Sequence, residues 1–286
     1  MDGEPRPSHG MKVPFARKLE AGEFAVALEI TPPQHALPRV LLRRARLLGD
    51  AAQAINVIQR PGRQSSLAAS LELKAHGLEP AWHLVTRGRT RAEIDADMAS
   101  ARAGGIGQVL CILGDHAPDA GVESPTIREV VAMAREHLPG AIAGATLNQY
   151  VGDQGAVLRN LFPKLAAGAT YIQAQPVFEA GPLERAAEAI EREFPDARLV
   201  AMVMPLLALD AATRIEGRLG IELPGDLKRV LASGDLEAAW GYFERVVRGL
   251  VESPLVDGVA VMTFEMDAPA ETGERIAAAL RRSGAV

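Results

Sequence analysis

The chain has 286 residues, 48% of them hydrophobic and 23% charged, with a formal charge of −5. That length holds one large domain or two small ones around a self-sufficient core, and the acidic balance argues against a nucleic-acid binder, which ordinarily shows a basic face. A single cysteine, Cys111, excludes a disulfide framework and a cysteine-built metal cluster, and the longest apolar run, 199–209, is interrupted by Pro205 and too short to span a bilayer.

The opening MDGEPRPSHG carries two prolines, two acids and no apolar stretch, unlike a signal peptide. It reads as the start of a disordered or extended leader over 1–20, in a cytoplasmic protein. Two segment types then alternate. Residues 24–30 (FAVALEI) are a short apolar strand stopped by Thr31-Pro32-Pro33, and 38–50 carry leucines at helical spacing. Strand 54–58 (AINVI) leads to helix 64–76, which ends at Gly77 as a C-cap. Strand 81–86 (AWHLVT) precedes Thr90, placed three residues before Glu93 as in a capping box, and that helix stops at Gly104-Gly105. Strand 108–113 (QVLCIL) is followed by helix 124–137, strand 141–147 by helix 154–167, and strand 170–175 (TYIQAQ) by helix 183–194. Strand 198–204 (RLVAMVM) opens a helical region over 208–252, broken at Leu223-Pro224-Gly225 and at Ser233-Gly234. Strand 258–262 (GVAVM) and helix 271–282 complete the chain.

Strict alternation of strands and helices implies crossover units and a parallel sheet. Eight strands in about 250 residues favour a single (βα)8 TIM barrel, over 21–286, above an open doubly wound sheet. The open sheet's Gly-rich first turn is replaced here by Thr31-Pro32-Pro33. Gly104-Gly105-Ile106-Gly107 runs from helix into strand, the wrong direction for cradling a phosphate.

In such a barrel the chemistry gathers at the C-terminal strand ends. Glu29 lies inside an apolar strand, where a carboxyl is either paired, with Arg60 or Arg87, or raised in pKa and suited to general-acid work. Asp115, after Gly114, is either a turn residue or a group that orients a polar ring at the mouth. His83 and Thr86 sit on strand three, Gln173 and Gln175 on strand six, Gln59 after strand two and Asn148 after strand five. The six histidines fall at no ligand spacing, so no metal site is expected, and G-x-S-x-G is absent. Every lysine falls outside the strand ends, which disfavours a Schiff-base aldolase. A mouth of amides, two carboxyls and a histidine suits a polar heterocycle.

These stretches resemble the methylenetetrahydrofolate reductase family. LEITPP is similar to its opening E-[FIV]-x-P-P, and EPAWHLVTRGRTRAEI to its strand-three H-[LI]-T-x-R-[DN]-R. GIGQVLCILGDHAP resembles G-I-x-N-[VL]-L-x-L-x-G-D-x-P, and KLAAGATYIQAQPVFE resembles K-x-x-A-G-A-x-[FY]-x-x-T-Q-P-x-F-[DE]. GRLGIELPGDL and VAVMTFEMD extend the likeness to the last strand. The resemblance implies a barrel that binds FAD and reduces methylenetetrahydrofolate to methyltetrahydrofolate with NADH or NADPH, by a ping-pong scheme. It implies Glu29 as general acid, Asp115 beside the pterin and flavin rings, and Gln175 as the pterin's hydrogen-bonding partner. Gln59, His83, Thr86, Asn148 and Lys164 take flavin-contacting positions. The chain departs from the pattern at Leu113, where the family often has Arg, at Arg87-Gly88-Arg89, at Ala174, at Asn148 and Tyr150, at Gln59 and at Leu206-Leu207. Those departures motivate two alternatives: a flavin-free folate-binding or regulatory subunit, and direct hydride transfer from NADH. A homo-oligomer or a partner subunit is compatible with either; a membrane or nucleic-acid partner is not expected.

Overall fold

The structure, a computed structural model, describes residues 14–114 and 121–286. Eight strands, β1 (Ala25–Ile30), β2 (Ala54–Val57), β3 (Pro80–Val85), β4 (Gln108–Ile112), β5 (Ile142–Leu147), β6 (Tyr171–Pro176), β7 (Arg198–Val203) and β8 (Gly258–Val261), form a closed parallel barrel in sequence order. β8 returns to β1 with Val26 opposite Val259. The helices are α1 (Pro14–Ala21), α2 (Pro38–Ala45), α3 (Ser66–Ala75), α4 (Arg91–Ala103), α5 (Ile127–His137), α6 (Gln154–Ala166), α7 (Gly181–Glu193), α8 (Leu209–Leu219), α9 (Gly225–Ala232), α10 (Leu236–Glu252) and α11 (Ala270–Arg282). The protein is thus a single (βα)8 barrel, as its alternation of segments implies.

Strand parity divides the core in two. On β1, Val26, Leu28 and Ile30 face outward into the layer between strands and helices. Ala25 and Ala27 face the barrel interior, with Ala54, Leu110, Ile142, Tyr171, Val200 and Ala260. Half of these strand residues are alanine, which leaves room for one large ring. Tyr171 is that ring, and a Cβ on Gly144 would stand 2.3 Å from it, which is why the facing strand carries glycine there. Capping boxes start two helices: Thr90 with Glu93, as its spacing implies, and Thr126 with Glu129. The region after β7 breaks at both expected places, giving α8, α9 and α10. These three close over a separate apolar cluster that includes Phe178, Leu206, Ile215, Leu227 and Tyr242.

The leader differs from expectation. Of the disordered or extended leader expected over 1–20, residues 1–13 lie outside the described residues, and Pro14–Ala21 is a helix. Phe15, Ala16 and Leu19 make one apolar face, and that face enters the interior cluster at the N-terminal end of the strands. The Phe15 ring meets Tyr171 edge-on at 6.3 Å. The small alanines of the floor leave a gap, and α1 stoppers it. Among the described residues no helix is long and apolar enough to cross a membrane.

Candidate active site

The parity that turns Ala25 and Ala27 inward also turns Glu29 inward, one step nearer the C-terminal mouth. It lines a cleft together with Arg60, Arg218, Met262, Phe264 and Asp267. Burial pushes its pKa up from 4.5 to about 7, against smaller downward pulls from a hydrogen bond with Gln173 and from the charges of Arg218 and Arg60. Among the described residues its hydrogen-bonding partner is an amide: Gln173 Nε2 donates to Glu29 Oε2 at 3.1 Å. Gln173 Oε1 in turn accepts from Asn56 Nδ2 at 2.7 Å. Asn56 and Gln173 are both buried, on β2 and β6.

His83 points inward from β3, the strand whose Trp82 and Leu84 face the helices. Burial lowers its pKa from 6.5 to about 3, so the imidazole is neutral. Its Nε2 and the hydroxyl of Thr86 are both buried with no hydrogen-bond partner among the described residues. A buried polar atom left without a partner is costly, and the two take opposite faces: His83 the interior, Thr86 in step with Trp82 and Leu84.

Gln175 shares the inward parity of Tyr171 and Gln173. The β6–β7 ladder shifts register between Gln173 and Pro176, which leaves the Gln175 main chain without regular strand pairing. Gln149 supplies it from the loop after β5. Its Oε1 accepts from Gln175 N at 3.0 Å, and its Nε2 donates to Gln175 O at 2.9 Å. Tyr150 Oη adds a bond to Pro176 O at 2.6 Å.

The remaining expected residues hold other positions. Gln59 Oε1 accepts from Ser66 N at 2.8 Å and so serves the start of α3. Asn148 is exposed, and its Oδ1 accepts from Tyr150 N at 3.1 Å. Lys164 lies half-buried in the last turn of α6, at the end that leads into β6 and away from the mouth; burial lowers its pKa. Asp115 and His116 lie outside the described residues. The glycine before them has φ 84°, and a Cβ there would stand 2.3 Å from Val85, so only glycine fits at that turn.

Three groups escaped the sequence reading. Asn56 was hidden in an apolar run, yet its parity with Ala54 is the same signal that exposes Glu29. Gln149 lies between two residues singled out as departures. Arg44 is buried on α2 and ties the first and last strand loops together. Its Nη1 donates to Thr31 O at 2.7 Å, while Nε and Nη2 grip the Asp267 carboxylate at 3.0 and 2.6 Å. Arg43 also bonds Asp267.

Solved structures with a similar fold include a phosphonopyruvate hydrolase and the same enzyme in complex with oxalate and Mg++. Each is 12% identical to this chain, covers 96% of it and 88% of its own length, and superposes with a TM-score of 0.52. At that identity the likeness shows the barrel alone. The sequence is more specific. Residues 14–239, from the helix that stoppers the barrel to the middle of its last long insertion, match the sequence model of methylenetetrahydrofolate reductase. That span contains β1 through β7, with Glu29, His83 and Gln175 on the strands where the motifs place them. The chain belongs to the methylenetetrahydrofolate reductase family.

Proposed function

We propose that the protein interconverts 5,10-methylenetetrahydrofolate and 5-methyltetrahydrofolate, with NADH or NADPH as electron source and FAD as carrier. One observation carries this reading: the Glu29 carboxyl, buried at the barrel mouth, titrates at about 7. An ordinary carboxyl has lost its proton at neutral pH; one poised near 7 still has a proton to give, and its conjugate base can take one back.

In the reductive direction Glu29 gives its proton to the bridging nitrogen of the five-membered ring. The C–N bond at that nitrogen breaks, and the lone pair of the other ring nitrogen forms a C=N bond, leaving an iminium carbon open to hydride. In the oxidative direction the Glu29 carboxylate recovers the proton as the ring closes. Gln175 presents its amide to the pterin from a main chain held on both sides by Gln149, and Asp115 takes the same ring by family resemblance. His83 and Thr86 are assigned to a flavin by resemblance, which the neutral His83 imidazole supports with a buried Nε2 that has no hydrogen-bond partner among the described residues. Gln59 and Asn148 are assigned to it by resemblance, whereas Lys164, at the end of α6 away from the mouth, is not placed to reach a ligand there. When bound, the flavin supplies the hydride to the iminium carbon and is itself reduced by the nicotinamide.

A second reading, hydride transfer without flavin, is favoured by Leu113. It is 46% exposed at the end of β4, an apolar side chain where the family often carries arginine. An absorbance spectrum of the purified protein with added FAD separates the two. A bound flavin bleached by NADH and restored by methylenetetrahydrofolate supports the ping-pong scheme; rejection of FAD removes it. For the acid, Glu29→Gln is expected to abolish folate reduction while NAD(P)H oxidation by an artificial acceptor continues. Loss of both together would make Glu29 structural and overturn the assignment.

A further inference from the structure

We infer that Gln173, oriented by Asn56, sets the proton affinity of Glu29 through an amide relay that crosses the barrel interior. As a statement about activity this rests on Glu29 being the acid; as a statement about Glu29's titration it stands alone. The relay joins Glu29 and Asn56, register partners on the adjacent strands β1 and β2, to Gln173 on β6 across the barrel, through contacts of 2.7 and 3.1 Å. Asn56 is 2% exposed and Gln173 4%, so neither amide can exchange these partners for water.

The direction of the relay follows from the chemistry of a primary amide, which has a donor end and an acceptor end. Asn56 Nδ2 occupies the oxygen of Gln173, and this turns the nitrogen of Gln173 toward the carboxyl. An N–H facing a carboxylate favours the ionised form. It therefore opposes the effect of burial, which would otherwise hold the proton too tightly to release it.

Other charged groups face Glu29 across the cleft. Arg218 comes from α8 and Arg60 from the loop after β2, and both act through space. Arg43 and Arg44 of α2 line the same cleft and are taken up by Asp267. His83 on β3 is neutral. Among the described residues, Gln173 is the group hydrogen-bonded to the carboxyl.

The test follows the infrared band of the protonated Glu29 carboxyl through a pH titration of ligand-free protein, isolated by subtracting Glu29→Gln. Gln173→Leu keeps the bulk and removes the donor. It is expected to raise the titration midpoint by about one pH unit. Asn56→Leu leaves Gln173 free to present either end and is expected to raise the midpoint by less. In the enzyme, the alkaline limb of the folate-reduction pH profile moves up by the same amounts. A merely structural role would lower the rate at every pH and leave the limb in place. Titration of Gln173→Leu at or below the wild-type midpoint overturns the relay. If Gln173→Leu does not fold, Asn56→Leu decides, an upward shift supporting the relay and an unchanged midpoint refuting it. Persistence of folate reduction in Glu29→Gln would refute the proposed acid and leave the infrared result standing.

Discussion

Glu29 and His83 are both buried titratable groups on inward-facing strand positions, and burial drives them in opposite directions because it always disfavours the charged form. For Glu29 the native pKa, about 7, lies above the ordinary 4.5, so the folded chain keeps a proton that the unfolded chain has released. Its contribution to stability is full below 4.5 and is lost as pH rises through about 7. Glu29→Gln removes that loss. The variant is expected to be more stable than wild type at pH 8 by about 1–3 kcal/mol and equal to it at pH 4, as read by urea unfolding. For His83 the native pKa, about 3, lies below 6.5, so its contribution is present above 6.5 and fades as pH falls toward 3. The catalytic proposal and this stability prediction share a cause: a group held neutral at a cost is ready to use its proton. Gln175 makes a separate case. Its main chain is held on both sides by Gln149, and Gln175→Ala is expected to raise the folate KM roughly tenfold, well above any change for NADH. An unchanged folate KM would remove it from the site.

At the scale of elements, α1 shows how a stretch read as the end of a leader becomes part of the core. Alone, a helix this short is marginal in water, and it holds only because its apolar face is buried. Phe15 is 1% exposed and packs on Tyr171, which in turn fills the space that Gly144 leaves. Phe15→Ala is expected to cost about 3–5 kcal/mol, read as a lower urea midpoint. A loss under about 1 kcal/mol, the size of a surface change, would mean that α1 does not stopper the barrel. The loop after β5 illustrates the same dependence on context. Gln149 stands in for a strand neighbour at the point where β6 leaves its ladder, and this makes an irregular stretch of backbone rigid beneath Gln175.

On the scale of the whole molecule, a barrel is closed by its last strand meeting its first, and here a charge pair reinforces that closure at the mouth. Arg44 is held between Thr31, just after β1, and Asp267, in the loop after β8. The Arg44 hydrogen bonds hold the Asp267 carboxyl below the usual carboxylate range. The contribution of the pair is therefore present above 3.8 and is lost as pH falls through the lower native value. The Arg44 side chain is 7% exposed while that of Asp267 is 50% exposed, so truncation mainly strands the arginine. Asp267→Asn is expected to cost about 1–3 kcal/mol at pH 7. The difference from wild type should shrink toward pH 3. A pH-independent loss would point to packing and not to the charge.

Much of this was legible along the chain. Eight apolar runs, the turn residues between them and the Thr90–Glu93 box are local signals, and alternation with helices leaves a parallel barrel as the fold that buries both faces of every strand. Glu29 announced itself because a carboxyl inside AVALEI has no ordinary reason to be there. Asn56 and Gln149 did not, because their meaning lies in partners on other strands, 117 residues away for Asn56 and 26 for Gln149. The stopper helix, the Arg44–Asp267 closure and the neutral His83 belong to the same class. Each depends on which side chains a closed cylinder brings face to face and on how little water reaches them. Periodicity along a chain records which face a residue takes; only the three-dimensional packing sets its neighbours across the barrel, and those neighbours set the proton affinities at the mouth.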